Sequence, residues 1–317
     1  MTTTHGNIEA PRKAPVPSAP ARKKRRRRLD APSMPIRLVK GLVLLIICAV
    51  VIVPFIGIAS TSIADPKEVT RAGGFVLWPH GINFSSYESL FAGGVVTQAL
   101  LVSIGITALG TLVSLTGSTL LAYSLSRPGS FAHQPILIMV LLTLLFAPGL
   151  IPNYLAVKEY GLLDSFASLI LPTAINAFNV IVLRAFFMGI PRELVDSARI
   201  DGAGDFGIFW RLVLPLSKAV LAVIGLFYAV GYWNSFFSAL LYINDTGKWP
   251  LQLVLRTYVI NNSQLGGAQL GATADQLPPQ ASIQMAILVI SIVPILIVYP
   301  FLQRHFAKGV LTGAVKG

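Results

Sequence analysis

The sequence has little charge and few of the residues that build catalytic or metal sites. Charged residues make up 12% of the 317 residues, about half the share of a soluble domain. Its one cysteine, Cys48, cannot form an internal disulfide, and the apolar run around it predicts a small buried side chain. The four histidines are scattered and match no zinc-binding spacing. We therefore expect no metal, no cofactor and no catalytic residues.

Nucleotide-binding motifs are also lacking. No G-x-x-x-x-G-K-[ST] pattern occurs, so the chain has no loop of that kind to cradle ATP phosphates. A G-x-G-x-x-G pattern covers residues 202–207. It follows a predicted helix and leads into an apolar run, whereas dinucleotide binding needs this pattern inside a βαβ unit. If ATP drives this protein, we expect a separate subunit to bind it.

Long apolar runs are abundant, since 54% of the residues are hydrophobic. A run of about 20 apolar residues crosses a bilayer as a helix. The sequence therefore predicts an all-α polytopic membrane protein with six transmembrane helices. The predicted spans are residues 41–59, 99–123, 135–151, 166–187, 216–243 and 283–302. The fifth is longer than a crossing needs, so it should tilt or its end should leave the membrane.

The distribution of lysine and arginine predicts the orientation. With six spans, the side that holds both termini carries 20 of the 25 basic residues, and the other side carries five. Without the 11 basic residues of residues 1–40, the side that holds both termini still carries nine basic residues against five on the other side. Cytoplasmic loops are the basic ones, so we predict both termini to be cytoplasmic in a bacterial cytoplasmic membrane.

Residues 1–35 are predicted to be a disordered, basic cytoplasmic segment that precedes the membrane domain of residues 36–317. The segment is polar and proline-rich and carries the run Arg22–Arg28. We expect this run to hold the start of the first span inside and to attract anionic membrane lipid. Nucleic-acid binding is not needed to explain it, and a regulatory role stays open.

A polar stretch, residues 193–206, lies between the fourth and fifth predicted spans. In it, Asp196-Ser197-Ala198 is followed by three residues, Gly202, nine residues and then Leu212-Val213-Leu214-Pro215. The acids Glu193 and Asp196 suit the positive end of a helix that begins near Pro191. Gly202 permits a left-handed turn that ends this helix. A second short helix is predicted to present an apolar face, formed by Phe206, Phe209 and Trp210.

This spacing resembles the EAA loop in permease subunits of bacterial ABC importers, and residues 198–203 resemble the carbohydrate-importer version. Asp196 stands where glutamate is usual and Ser197 where alanine is usual. Residues 233–237, 249–253 and the tail from Tyr299 resemble the same permeases, so the resemblance covers roughly residues 36 to 317.

The resemblance implies a permease that imports a carbohydrate, expected to be an oligosaccharide, by alternating access. Its implied partners are two ATP-binding cassette subunits, a second homologous permease and an extracellular or periplasmic solute-binding protein. An amino-acid or peptide permease is the nearer alternative. A secondary transporter is more distant, because ionisable residues for ion coupling are lacking within the spans. The implied ATPase-coupling residues are Glu193, Asp196, Ala198, Asp201, Gly202 and Phe206.

Polar residues inside apolar spans are costly and therefore informative. Aromatic rings beside amides suit a sugar, whose faces are apolar and whose edges form hydrogen bonds. The candidates for the substrate path are Asn179, Tyr228, Tyr232, Trp233 and Asn234. The same residues also fit another role, as interhelical hydrogen-bonding groups with an interfacial aromatic belt.

Overall fold

The structure, a computed structural model, describes residues 34–92, 94–127, 129–261, 263 and 277–314. The chain divides into two units between Val50 and Val51, within the first helix. The predicted disordered segment 1–35 lies outside the described residues, apart from Met34 and Pro35, which begin the first helix.

The regular secondary structure of the described residues is helical, and these residues form no β-strand. This confirms the all-α prediction. The helices are α1 (Met34–Ile63), α2 (Pro66–Arg71), α3 (Ser85–Phe91), α4 (Val95–Ser126), α5 (His133–Leu145), α6 (Leu150–Glu159), α7 (Ala167–Ile170), α8 (Ala177–Met188), α9 (Arg192–Ile200), α10 (Asp205–Ile208), α11 (Leu214–Leu216), α12 (Lys218–Trp233), α13 (Phe236–Tyr242), α14 (Leu251–Leu255) and α15 (Gln280–Ala314). Two π-helical stretches, Phe209–Val213 and Arg256–Ile260, follow α10 and α14.

Three helices of the described chain are long and apolar enough to cross a membrane: α1, α4 and the Gln280–Pro300 part of α15. They correspond to the first, second and sixth predicted spans. Two further crossings require a bent pair each. One joins Ala167–Thr173 to α8 at 51°, and the other joins Asp205–Leu216 to α12 at 82°.

The third predicted span, residues 135–151, is not one continuous helix. Helix α5 has 13 residues and ends at Leu145, so it is about 20 Å long, against a hydrocarbon core of about 30 Å. Pro148 lacks a backbone N–H, and Gly149 has a φ of +82°. The third predicted span is therefore broken at residues 146–149. By length and composition the described residues supply up to five crossings, and the count of six stays a prediction.

The predicted burial of Cys48 is also wrong, because this cysteine is exposed on α1. Its neighbours Ile47 and Val51 are exposed as well. An apolar helix with this surface is suited to contact with lipid rather than with water.

Helix α4 lies at the centre of the main core and packs against α8 and α12. Small residues repeat along its buried face, and small side chains let helix backbones approach closely. These small residues are Ser103, Gly110, Ser114, Ser118 and Ala122. Larger side chains fill the space around this face, among them Ile106, Leu125, Val180, Leu183 and Ile224.

A second core joins α15 to α3, α14 and the end of α12. Ile283 and Ile287 of α15 are fully buried in it with Leu251 and Val254 of α14. The hydroxyl of Ser103 on α4 accepts a hydrogen bond from the Leu251 backbone N–H at 2.8 Å. These contacts fix α14 and α15 around the central helices.

Candidate functional site

The loop between α8 and α12 is a helix–turn–helix. Helix α9 is followed by a turn at Gly202, whose φ is +84°. This confirms the predicted left-handed turn. The N–H of Gly202 donates to the Arg199 carbonyl at 3.0 Å, and that of Ala203 donates to the Ala198 carbonyl at 2.9 Å. Both bonds satisfy carbonyls that the end of α9 leaves free.

The predicted coupling residues lie mostly on the outside of this loop. Glu193, Asp196 and Asp201 are exposed, and Phe206 exposes 74% of its surface. Ala198 is partly buried and packs against the main core. The loop thus has an anchored face and a face that carries acids and large apolar groups.

The three aromatic residues predicted to share the face of the second short helix are divided between two roles. Phe209 is buried, and its ring centroid lies 4.7 Å from that of Tyr123. Phe206 and Trp210 are exposed, with ring centroids 6.0 Å apart. The prediction of one shared apolar face is therefore wrong for Phe209, which anchors the loop to α4. An ion pair of 3.1 Å between Arg199 and Asp205 bridges the two short helices.

A cavity of about 480 Å³ lies where two helix pairs are broken. One break, between α7 and α8, follows Thr173, and the other separates α12 from α13 at Asn234 and Ser235. Such a volume is usual for a ligand site. The lining residues are Leu169, Thr173, Asn176, Phe178, Asn179, Phe227, Tyr228, Gly231, Tyr232, Asn234, Ser235, Phe236, Phe237 and Ser238.

The structure brings four of the five predicted path residues to this cavity. Asn179 is buried, and its side-chain amide forms no hydrogen bond with another described residue. Asn234 is exposed, and its amide nitrogen donates to the Val230 carbonyl at 2.9 Å. The other two are tyrosines of α12, whose rings line the cavity.

The hydroxyls of these tyrosines hold helices together. The Tyr228 hydroxyl lies 2.6 Å from the Ser118 hydroxyl and accepts the Asn176 N–H at 3.0 Å. The Tyr232 hydroxyl lies 2.6 Å from the Ser114 hydroxyl and is 3.2 Å from the Ile170 carbonyl. The interhelical role thus accounts for the hydroxyls. Both tyrosines are buried, so only the small part of each ring that borders the cavity faces a ligand.

Trp233 does not line the cavity. It is buried in the second core, where its indole N–H donates to the Ser291 carbonyl of α15 at 3.1 Å. It borders a separate apolar cleft of about 140 Å³ with Leu226 and Pro294. The prediction that Trp233 lines the substrate path is therefore corrected. A helix turns by about 100° per residue, so Trp233 faces away from its neighbour Tyr232.

Sequence reasoning missed several lining residues, including Thr173, Phe178, Phe227 and Ser238. Phenylalanine in an apolar run carries no signal that separates a cavity wall from a lipid-facing surface. No charged side chain lines the cavity among the described residues. Aromatic faces with amide and hydroxyl groups therefore make it suited to an uncharged part of a polar ligand.

Comparisons with known proteins support a transport role. Residues 125–312 match the model of the family described as binding-protein-dependent transport system inner membrane component. The chain is 46% identical over 274 residues to the polygalacturonan/rhamnogalacturonan transport system permease protein YtcP of Bacillus subtilis (strain 168), which covers 86% of this chain and 96% of the relative. Protein LplC of the same strain is 46% identical over 269 residues, 85% of this chain and 90% of the relative.

A solved structure shows the same fold. It is the crystal structure of a bacterial ABC transporter involved in the import of the acidic polysaccharide alginate. One of its chains aligns with a TM-score of 0.78 at 32% identity, and the alignment covers 87% of this chain and 99% of that one.

Proposed function

The chain belongs to the family of binding-protein-dependent transport system inner membrane components, and from this we propose that it is the permease through which an ABC importer moves an oligosaccharide across the cytoplasmic membrane. The family consists of transport permeases and not of enzymes. We therefore propose that the chain forms a path that alternates between an outward-open and an inward-open state and changes no covalent bond of the substrate.

The observation that carries the choice of substrate is the uncharged cavity at the two helix breaks. It combines aromatic rings with amides and hydroxyls, which suits the apolar faces and polar edges of a sugar. Its relative in Bacillus subtilis is named for the transport of polygalacturonan and rhamnogalacturonan, and its structural neighbour imports alginate. All three substances are polymers of sugar units, which favours an oligosaccharide over an amino acid or a peptide.

A solute-binding protein is the first partner that we propose, as the family description implies. Two ATP-binding subunits are the second, because the chain lacks the phosphate-binding loop that ATP hydrolysis needs. A second, homologous permease completes the proposed complex. The exposed face of the α9–α10 loop, with Glu193, Asp196, Asp201 and Phe206, would contact an ATP-binding subunit.

In this proposal the loop transmits movement from the ATP-binding subunits to the membrane helices. The Gly202 turn and the Arg199–Asp205 ion pair hold α9 and α10 as a unit. Phe209 and Ala198 connect this unit to the core around α4. A displacement of the loop would therefore reach the helices that form the cavity. ATP shifts the balance between outward-open and inward-open states only through a difference in binding free energy between them.

Uptake by Asn179→Ala tests the proposal. Asn179 lines the cavity, whereas Asn244 is an exposed asparagine elsewhere whose substitution by alanine serves as a matched control. A lost hydrogen bond of an amide to a sugar corresponds to about a three- to tenfold loss of affinity. We expect Asn179→Ala to reduce uptake of labelled oligogalacturonide by that factor in cells with the full complex, and Asn244→Ala to leave it unchanged.

Competition with unlabelled amino acids, peptides and oligosaccharides, among them unlabelled oligogalacturonide, completes this experiment. Inhibition by peptides but not by oligosaccharides would contradict the proposed substrate class. Equal uptake in both alanine variants, at equal abundance in the membrane, would show that the cavity is not the substrate path in this chain.

A further inference from the structure

A second, basic groove lies beside the loop and takes no part in the proposed path. Its volume is about 500 Å³. It is lined by the end of α4, the start of α5, the end of α8 and helix α9. Four arginines line it: Arg127, Arg184, Arg192 and Arg199.

Three of these guanidinium groups have no carboxylate partner among the described residues. Arg199 is paired with Asp205, but no acid lies within ion-pair distance of Arg127, Arg184 or Arg192. One acid, Asp196, lines the groove. Like charges that face one groove repel each other, so the arrangement is favourable when an anion occupies it.

Two of the arginines are held in position by neutral groups. The Arg184 Nε donates to the Leu125 carbonyl at 2.8 Å, at the end of α4. Arg127 donates to the Tyr123 hydroxyl at 3.1 Å, and its guanidinium carbon lies 4.9 Å from the centre of that ring. Neither contact neutralises charge, so both side chains are preorganised and still able to bind an anion.

The groove also contains a polar atom without a partner. His133 Nδ1 is buried and forms no hydrogen bond with the described residues. The atom is closed off from solvent, so the imidazole contributes to the shape of the groove wall, and the arginines provide the polar contacts.

The remaining walls are apolar and point to the class of anion. Phe187, Met188, Ile190, Val195 and Val213 line the groove next to the arginines. Beyond His133, helix α5 exposes Ile138, Met139 and Leu142. A small hydrophilic anion would leave these surfaces uncovered, whereas a headgroup with acyl chains would cover them. Basic pockets at the ends of membrane helices are typical sites for phospholipid headgroups.

We propose that this groove binds the phosphate group of an anionic phospholipid, with the acyl chains along the exposed face of α5. The arginine fork matches phosphate geometry. A lipid held there would touch α9 and the ends of α4 and α8 together. It would thereby stabilise the loop against the membrane helices.

Native mass spectrometry with lipid titration tests this proposal on the purified full-length chain in neutral detergent. Phosphatidylglycerol is the anionic probe and phosphatidylcholine the neutral one. The variant is Arg127→Gln with Arg192→Gln. The matched control is Arg211→Gln with Lys218→Gln, two exposed basic residues of the same region that do not line the groove.

We expect wild type and the control to bind one phosphatidylglycerol in preference to phosphatidylcholine. The groove variant should bind it about thirtyfold more weakly, from the usual contribution of two basic residues beside an anionic headgroup. Arg192→Gln alone should weaken binding about fivefold. Arg192 is exposed and makes no side-chain hydrogen bond within the described chain, so this variant does not depend on tolerance of the Arg127 change.

Three results would overturn the proposal. Equal weakening in the groove variant and the control would assign the effect to general surface charge. If millimolar inorganic phosphate bound to the groove and abolished binding of phosphatidylglycerol, free phosphate would be the ligand. If the groove variant bound the lipid normally but bound the ATP-binding subunits poorly, the arginines would serve an acidic protein surface.

Discussion

At the scale of single residues, Gly202 decides the shape of the proposed coupling loop. Its φ of +84° is in the left-handed region, and an added Cβ would meet no atom within 4 Å. The backbone conformation therefore limits which residue can occupy this position, and the surrounding space does not. β-branched side chains are strongly disfavoured there, whereas aspartate and asparagine tolerate it better than other residues.

Gly202→Val should weaken coupling without disturbing membrane insertion. The strain of about 1–3 kcal/mol corresponds to at least about a fivefold decrease in the population of the native turn. Co-purification of the ATP-binding subunits and oligosaccharide-stimulated ATP hydrolysis should both decrease.

Gly204→Val is the matched control for this substitution, because Gly204 has an extended backbone with φ of −71° and also meets no atom within 4 Å. Equal coupling in the two variants would mean that the turn at Gly202 does not transmit movement.

At the scale of helices, the contact of α4 with α12 organises the cavity. The ring of Tyr232 lies over Gly110, and an alanine Cβ there would come within 2.8 Å of it. The hydrogen bonds of the Tyr232 hydroxyl to Ser114 and Ile170 keep the ring from moving aside. Close packing of these helices thus depends on the absence of one methyl group.

Gly110→Ala should therefore destabilise the protein by about 1–3 kcal/mol, the usual cost of overpacking. Gly105 lies on the same helix with open space around it, and Gly105→Ala should be neutral or slightly stabilising because alanine favours helix. Thermal unfolding of both variants in detergent measures the difference. Identical midpoints would contradict the tight α4–α12 contact.

The connection between α6 and α7 is tied to the segment after α13 by one carboxylate. Asp164 accepts the Asp245 N–H at 3.0 Å and the Asn244 N–H at 3.1 Å, and Lys248 lies 3.7 Å away. The Asp245 N–H first, and then the Asn244 N–H and Lys248, hold the pKa of Asp164 below its ordinary value. These contacts favour the ionised form.

The sign of this pKa shift gives a pH dependence. A lowered native pKa contributes stability above the ordinary aspartate pKa of about 3.9. The contribution is lost as pH falls through the lower native value. Between pH 7 and 5 it should be constant, and below about pH 4 wild type should lose more stability than Asp164→Asn does. Unfolding midpoints across this range measure it.

Asp201→Asn is the control for the pH series. The exposed carboxylate of Asp201 forms no hydrogen bond or ion pair with the described residues. This variant should follow the wild-type profile. If the unfolding midpoint of Asp164→Asn also followed the wild-type dependence on pH, the proposed contribution of the Asp164 carboxylate to stability would be excluded.

At the scale of the whole molecule, the orientation in the membrane remains a prediction from the basic residues. Breaks within a helix change the number of continuous spans, but they do not change which segments of the sequence carry lysine and arginine. Reporter fusions after Gly161 and at Gly317 should report opposite sides, with Gly317 on the cytoplasmic side. The same side for both fusions would require a different number of crossings.

A fusion in the α9–α10 loop extends this experiment. The proposed contact with ATP-binding subunits requires a reporter inserted at Gly204 to give the same side as Gly317. An extracellular signal there would contradict the coupling role, because ATP is hydrolysed inside the cell.

The class of the protein and the form of its loop follow from the amino-acid sequence alone. Apolar runs predicted membrane helices because a bilayer admits only internally hydrogen-bonded backbone. The spacing around Gly202 predicted a helix–turn–helix because turn geometry depends on local backbone preferences. Both are short-range effects, so residues near each other in the chain are sufficient to encode them.

Which polar residues lie together depends on how the helices pack. Tyr232 and Trp233 are adjacent in the sequence, yet Tyr232 lines the cavity while Trp233 binds α15. The arginines of the basic groove come from α8, α9 and the residue that follows α4, and they showed no common pattern in the chain. Such sites depend on how α4, α8 and α12 rotate and approach one another. That is determined by the packing of many side chains from distant parts of the chain.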